Sequence, residues 1–225
     1  MEVTVSSIEG VLAETFDRIA AVYDRGRQGW YKGVLKLLQG KVLDPLLDAG
    51  CGTGYIACRL AGLGLSYVVC LDLSNGMLRT GRRRAYRWHV DSRVDFVQAS
   101  VTMLPFRERA FRSVLALAVL HHVPTREGRL EALRESKRVC KGFILVAVWS
   151  ALHPSNILRV ISSLSRDVYV QWRRGNYRYY HLYLPFELAG DLTRAGYKGF
   201  KLYLWDYKPV IFKRNIVVEY FAGDP

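Results

Sequence analysis

Apolar positions recur at helical spacing at the start of the chain. Val11, Leu12, Phe16, Ile19, Ala20 and Tyr23 predict an amphipathic helix over 6–24. Ser6 or Ser7 is placed to cap it, with Glu9 in its first turn. A second helix is expected over Tyr31–Leu38, after Gly29 and Trp30. The period then shortens. Leu46–Leu47, Tyr67–Leu71, Arg93–Gln98, Phe111–Leu120 and Phe143–Trp149 are short, largely apolar runs that read as strands, the fourth apolar enough to be buried on both faces. Helical patterns separate most of them: Ile56–Leu63, Asn75–His89 behind a capping Ser74, and Thr125–Cys140 opened by Thr125. The order β-α-β-α-β-β-α-β implies a parallel sheet with helices on both faces. The last third changes character. A helix is expected over His153–Leu164. Val168–Tyr183 is dense in aromatics and arginine, a helix over Pro185–Ala195 ends at Gly196, and Tyr197–Tyr207 with Val210–Tyr220 forms an antiparallel hairpin across Lys208 and Pro209.

One stretch in this pattern carries chemistry. Leu46-Leu47-Asp48-Ala49 leads into Gly50-Cys51-Gly52-Thr53-Gly54, and a helical pattern follows at once. Glycines without Cβ let a ligand approach the backbone, with a helix N-terminus behind it. The spacing is G-x-G-x-G rather than the G-x-G-x-x-G of dinucleotide folds. Asp72 ends the second strand, roughly 20 residues beyond the loop, where an acid suits the two hydroxyls of a ribose. The loop D-A-G-C-G-T-G and the later L-D-L-S together resemble the S-adenosylmethionine site of class I methyltransferases.

That resemblance implies a Rossmann-like α/β fold: a mostly parallel seven-stranded sheet with helices on both faces and a closing antiparallel hairpin. It implies S-adenosylmethionine as cofactor, S-adenosylhomocysteine as product, and one domain over 1–225. Within it, 1–40 would form lid helices, 41–150 the cofactor-binding core, and 151–225 a substrate-recognition insert with the closing strands. The implied cofactor residues are Asp48, Gly50, Cys51, Gly52, Gly54, Asp72, Leu73, Ser100, Val101 and Ala118. Phe16-Asp17-Arg18-Ile19-Ala20-Ala21-Val22-Tyr23-Asp24 resembles the lid helix of such enzymes, which would close Tyr23 and Arg27 over the site. Ala99–Phe106 resembles their A-D-A-x-x-L-P-F segment, whose acid reaches the adenine amino group, but Ser100 stands in the acid's place. Arg112 likewise replaces an acid at the entry to the fourth strand.

Composition adds constraints. The chain has 225 residues, half of them hydrophobic, which suits one α/β domain with a sizeable core. No apolar run reaches the ~20 residues of a membrane span, and Met1–Thr4 does not open like a signal peptide, so no membrane contact and a cytoplasmic location are expected. No two of the four cysteines have C-x-x-C spacing, so no metal is expected in this chain. Cys51 reads as a compact side chain beneath a ligand rather than a nucleophile. The net charge of +13 is uneven: residues 1–75 carry −1 and the remainder +14, an asymmetry that points to a polyanion, nucleic acid first and a membrane surface second.

Two motifs narrow the acceptor. His121-His122-Val-Pro-Thr-Arg-Glu-Gly-Arg129 and Arg178-Tyr179-Tyr180-His181-Leu182-Tyr183 resemble segments of the tRNA methyltransferases that esterify 5-carboxymethyluridine at the wobble position. Leu184-Pro185-Phe186 departs from that family's more polar residues, and Arg27-Gln28-Gly29-Trp30 matches its arginine–tryptophan element in part. The resemblance implies tRNA as partner and a small zinc-binding activator subunit in a heterodimer. A carboxylate acceptor is ionised at pH 7 and needs orientation rather than a base. Arg27 and Arg178 are candidates to orient it bidentately. His121 or His181 is placed to donate a hydrogen bond to carboxylate or uracil. Tyr179 and Tyr180 are candidates to stack a base, with Arg173 and Arg174 on phosphate. Two other classes fit parts of the pattern: a methyltransferase for a small, quinone-precursor-like acceptor, and a non-catalytic RNA-binding module on the same fold.

Overall fold

The computed structural model describes residues 5–172, 177–208 and 213–223. Its elements run α1 (Val5–Ile19), α2 (Gln28–Leu38), β1 (Leu46–Ala49), α3 (Tyr55–Gly62), β2 (Val68–Asp72), α4 (Asn75–Arg87), β3 (Val94–Gln98), β4 (Phe111–Leu117), α5 (Arg126–Val139) and β5 (Cys140–Trp149), then α6 (Pro154–Ser163), β6 (Asp167–Gln171), β7 (Tyr177–His181), α7 (Pro185–Arg194), β8 (Lys201–Trp205) and β9 (Asn215–Phe221). Seven strands form one sheet in the order β3-β2-β1-β4-β5-β9-β8. The first five are mutually parallel, and β9 runs antiparallel to both β5 and β8. This is the mostly parallel seven-stranded sheet with a closing antiparallel hairpin that the resemblance implies.

The strands are apolar throughout because both faces are covered. Leu47, Val69, Val114 and Ile144 point to one side, against Leu133 of α5 and Leu188 and Leu192 of α7. Their neighbours Leu46, Val68, Leu115 and Leu145 point to the other, against Val34 and Leu38 of α2 and Ala57 and Ala61 of α3. The period-2 alternation of the pleat therefore divides one continuous apolar run between two cores.

Three expectations change in detail. The first helix stops at Ile19, and a 3₁₀ turn over Ala20–Val22 follows. The second starts three residues early, at Gln28, directly after Arg27. Phe111–Leu120 is strand only to Leu117, because Ala118 takes φ 58° and the chain turns into a 3₁₀ segment over Leu120–His122. The aromatic stretch forms a separate two-stranded antiparallel sheet, β6 with β7. It packs Val168 and Tyr180 against Ala151 and Leu182. The expected hairpin is present as β8 and β9, with its turn outside the described residues. Among the described residues no helix is long and apolar enough to cross a membrane.

Candidate active site

At the C-terminal end of β1 the chain turns without room for a side chain. Gly50 has φ 77°, and a Cβ there would lie 2.4 Å from Cγ2 of Val119. Its amide and that of Cys51 donate to the carbonyl of Leu71, at 2.7 and 2.9 Å, binding the loop to β2. Gly52, with φ 54°, donates its amide to Oδ2 of Asp72 at 2.8 Å, and the Ser74 amide donates to Oδ1 at 2.9 Å. Gly54 serves differently. A Cβ there would meet Sγ of Cys70 and the Phe96 ring at 3.3 Å, and the residue does not line the cleft above.

That cleft encloses about 980 Å³ of empty space, part of it open to solvent. Asp48, Gly50, Cys51, Gly52, Asp72, Leu73, Ser100, Val101 and Ala118 all line it. Of the ten expected cofactor residues, only Gly54 stands apart. Burial and the nearby Asp72 push the Asp48 carboxyl up to about 7. Burial pushes Asp72 to about 6, against the amide donors of Ser74 and Gly52. Two buried carboxyls, a side-chain-free loop and apolar Leu73 and Val101 fit a cationic nucleoside such as S-adenosylmethionine: acid for the ribose and the positive charge, apolar surface for the base. Burial also raises the Cys51 thiol well above its ordinary range, so it is protonated and not a nucleophile.

The other end of the cleft is aromatic and cationic. Leu12, Phe16, Tyr23 and Trp30 line it, together with Arg27, Tyr31 and His122. The Arg27 guanidinium lies over the Tyr23 ring, 4.0 Å from its centroid. Arg178 is 3% exposed and does not line the cleft. It packs behind it, 5.3 Å from the Tyr180 ring and 5.6 Å from Trp172, which itself meets Tyr23 at 6.5 Å. Its Nε and Nη1 have no hydrogen-bond partner among the described residues. Neither arginine takes part in an ion pair among those residues.

The histidines divide unexpectedly. His121, the expected catalytic member, is 1% exposed and absent from the cleft wall. Its Nδ1 accepts from the Trp149 amide at 3.2 Å and its ring stacks on Tyr180, so it is a packed interior residue. His122 lines the cleft instead and meets Phe16 edge-on at 5.2 Å. Its Nδ1 lies 2.8 Å from the carbonyl of Tyr179 and must donate to it. Burial, with Arg178 and Arg27 nearby, pushes His122 down to about 3. The ring is neutral at pH 7, with Nε2 left as an acceptor.

His181 is also not in the cleft. Its Nδ1 faces Asp167 at 2.8 Å and its Nε2 faces Glu187 at 3.0 Å, a bridge from β6 through β7 to α7. Tyr180 is 1% exposed, packed among Trp149 at 4.5 Å and His121 at 5.1 Å, so it offers no surface for a base to stack on. The Tyr179 hydroxyl is engaged by Asp167 and the Pro124 carbonyl. Arg173 and Arg174 lie outside the described residues. Sequence reasoning missed Glu9, Phe16, Tyr31 and Ser74 as cleft residues. Each already had an ordinary role as a helix-turn acid, a helix-face apolar residue or a cap, and nothing in the spacing shows that α1 folds back to Ser74 and Ser100, just beyond the ends of β2 and β3.

A family model described as a methyltransferase domain matches residues 47–143. A putative methyltransferase of Encephalitozoon cuniculi is 34% identical over 159 residues, 68% of this chain and 70% of that protein. A demethylmenaquinone methyltransferase of Clavibacter sepedonicus is 33% identical over 146 residues, 61% of this chain and 58% of its own. A tRNA (carboxymethyluridine(34)-5-O)-methyltransferase of Arabidopsis thaliana is 30% identical over 131 residues, 56% of this chain and 30% of its own. The crystal structure of a SAM-dependent methyltransferase from Methanosarcina mazei superposes with a TM-score of 0.68 at 18% identity, over 84% of this chain and 95% of that one.

Proposed function

The chain belongs to the class I S-adenosylmethionine-dependent methyltransferases, and from that premise we propose that its acceptor is a carboxylate on RNA: the carboxymethyl group of 5-carboxymethyluridine at the tRNA wobble position, converted to its methyl ester. The observation that carries this reading is the guanidinium pair at the acceptor end. Arg27 lines the cleft and Arg178 is buried behind it, and neither meets a carboxylate among the described residues. Arg27 is half-buried in the cleft wall with no carboxylate on its guanidinium among the described residues, and an anionic acceptor would supply one. Bound S-adenosylmethionine supplies a methyl group made electrophilic by its cationic sulfur. Arg27 would then hold the carboxylate in place, and Leu12, Phe16 and Tyr23 would keep water from competing for it. The acceptor oxygen is already ionised, so no side chain need remove a proton. His122 cannot donate as a neutral ring fixed by Tyr179, but its Nε2 can accept from a uracil N–H. The basic remainder of the chain and the likeness to the Arabidopsis enzyme agree with an RNA acceptor.

A second reading rests on His122 itself. A neutral imidazole in an aromatic cleft can also accept a hydrogen bond from the hydroxyl of a phenol-like acceptor through Nε2, and the Clavibacter relative is named for a quinone-type substrate. One experiment separates the two. The protein is incubated with methyl-labelled cofactor and either tRNA bearing 5-carboxymethyluridine, matched unmodified tRNA, or a demethylated quinol, and the RNA is then treated with mild base. Base-labile label on the modified tRNA alone is the expected result. Label on the quinol alone sinks the RNA reading. The resemblance to wobble-uridine enzymes also carries a small zinc-binding activator subunit, so each arm is run with and without it.

A further inference from the structure

Three carboxylates line the cleft, and the fold accounts for two of them. Asp48 and Asp72 end neighbouring strands, and both oxygens of Asp72 are met by backbone amides of its own loop system. Glu9 comes from α1 and crosses to the far end of the cleft, where its Oε1 accepts from Ser100 Oγ at 3.0 Å. It makes no other hydrogen bond and no ion pair among the described residues.

Ser100 cannot serve a ligand in that arrangement. A hydroxyl has one proton and two lone pairs. The proton goes to Glu9. Thr102 occupies the rest, its amide donating at 3.3 Å and its Oγ1 lying 2.8 Å away. The acceptor capacity facing this end of the cleft is therefore the carboxylate of Glu9.

Its place along the sheet says what it would accept. The order β3-β2-β1-β4 sets the post-β3 loop, Asp72, the glycine loop and Ala118 in one row. Arg27 and His122 mark the acceptor end, near Ala118. With the ribose at Asp72 and the reacting methyl toward the acceptor end, the base must extend the opposite way, toward Ser100. The geometry points to Glu9 as the residue that selects the cofactor's base, its carboxylate accepting a hydrogen bond from the exocyclic amine of adenine. The selection is thus made by the lid helix rather than by the β3 loop. It concerns the cofactor alone and does not depend on which acceptor is used.

A carboxylate favours the 6-amino group of adenine and repels the 6-oxo group of hypoxanthine, and sites built on such a contact reject the mismatched analogue strongly. The test is calorimetric binding of S-adenosylhomocysteine and S-inosylhomocysteine. The native protein is expected to prefer the adenosyl compound by about tenfold or more. In Glu9→Gln the amide can donate to the 6-oxo group, and the preference should shrink to within about threefold. In Ser100→Ala, which removes only the internal partner, the preference should persist. If Glu9 merely braces α1, Glu9→Gln weakens both ligands equally and the ratio is unchanged, which overturns the assignment. A ratio kept in Glu9→Gln but lost in Ser100→Ala would transfer the selection to Ser100.

Discussion

Gly50 is barred from carrying a side chain twice over, by a φ of 77° and by Val119 at 2.4 Å from where a Cβ would stand. Left-handed backbone costs a non-glycine residue ~1–2 kcal/mol, and here the half-buried, β-branched Val119 would have to move as well. Gly50→Ala should lower the melting temperature by about 5–10 °C and abolish measurable cofactor binding, read by thermal shift and calorimetry. Arg27→Gln should leave the cofactor's Kd within about threefold while lowering kcat/KM for the carboxylate acceptor by about a hundredfold, ~3 kcal/mol. An equal loss with a neutral acceptor would remove the charge-pairing role. The buried acids give a pH dependence with a definite sign. Asp48 near 7 and Asp72 near 6 are partly protonated in the ligand-free protein at pH 6, and a cationic ligand binds the ionised pair. Affinity for S-adenosylmethionine should therefore rise from about pH 5.5 to 8, more steeply than for the uncharged sulfur of S-adenosylhomocysteine. Stability of the ligand-free protein runs the other way. Carboxyls raised above their unfolded value near 4 stabilise fully below that value and lose the contribution as pH climbs through about 6 and 7.

The small sheet of β6 and β7 shows why some elements were readable and others not. β1 to β5 announce themselves as apolar runs because they are buried on both faces. Tyr177–His181 mixes exposed Tyr177 with buried Arg178, Tyr180 and His181, so its inward positions are mostly polar and give no apolar alternation. Beside the apolar packing of Val168 and Tyr180 stands a polar network: His181 between Asp167 and Glu187, and Arg166 on Glu187. Burial pushes both acids up, but hydrogen bonds from Tyr179 and His181 to Asp167, and from His181 to Glu187, outweigh it and hold them below their ordinary range. Their contribution is present above the unfolded carboxylate range and lost as pH falls. His181→Ala should lower the melting temperature by about 3–8 °C, yet leave cofactor Kd unchanged, because the residue braces α7 rather than the cleft. A large loss of cofactor affinity without a stability change would contradict that. The cofactor loop was legible for the opposite reason. Its glycines and acids are dictated by local backbone geometry, whereas Glu9 and His122 reach the cleft through tertiary folding that no local pattern encodes.

Across the whole molecule, the positive charge falls on the part of the chain beyond the glycine loop. On α4, Arg79, Arg82, Arg83 and Arg87 are exposed and make no ion pairs among the described residues, while Arg84 turns inward to Asp24. A surface of this kind should bind tRNA with a strong salt dependence, affinity falling by about ten- to a hundredfold between 50 and 200 mM salt. Replacing Arg83 and Arg87 by Gln should flatten the slope without changing cofactor Kd. A salt-independent affinity would count against RNA as the partner.

Ser74 joins the two halves of the cleft. Its amide donates to Asp72 and its hydroxyl to Asp17 of α1 at 2.5 Å, while Asp17 also accepts from the Gly76 amide at 2.6 Å and so caps α4 from outside. The helix held by that contact carries Leu12 and Phe16, which wall the acceptor end. In kinetic terms this is a case for compulsory order. The nucleoside should settle first and leave last, since the walls of the acceptor end are seated by the same serine that holds Asp72. Product inhibition would then show S-adenosylhomocysteine competing with S-adenosylmethionine but not with the acceptor.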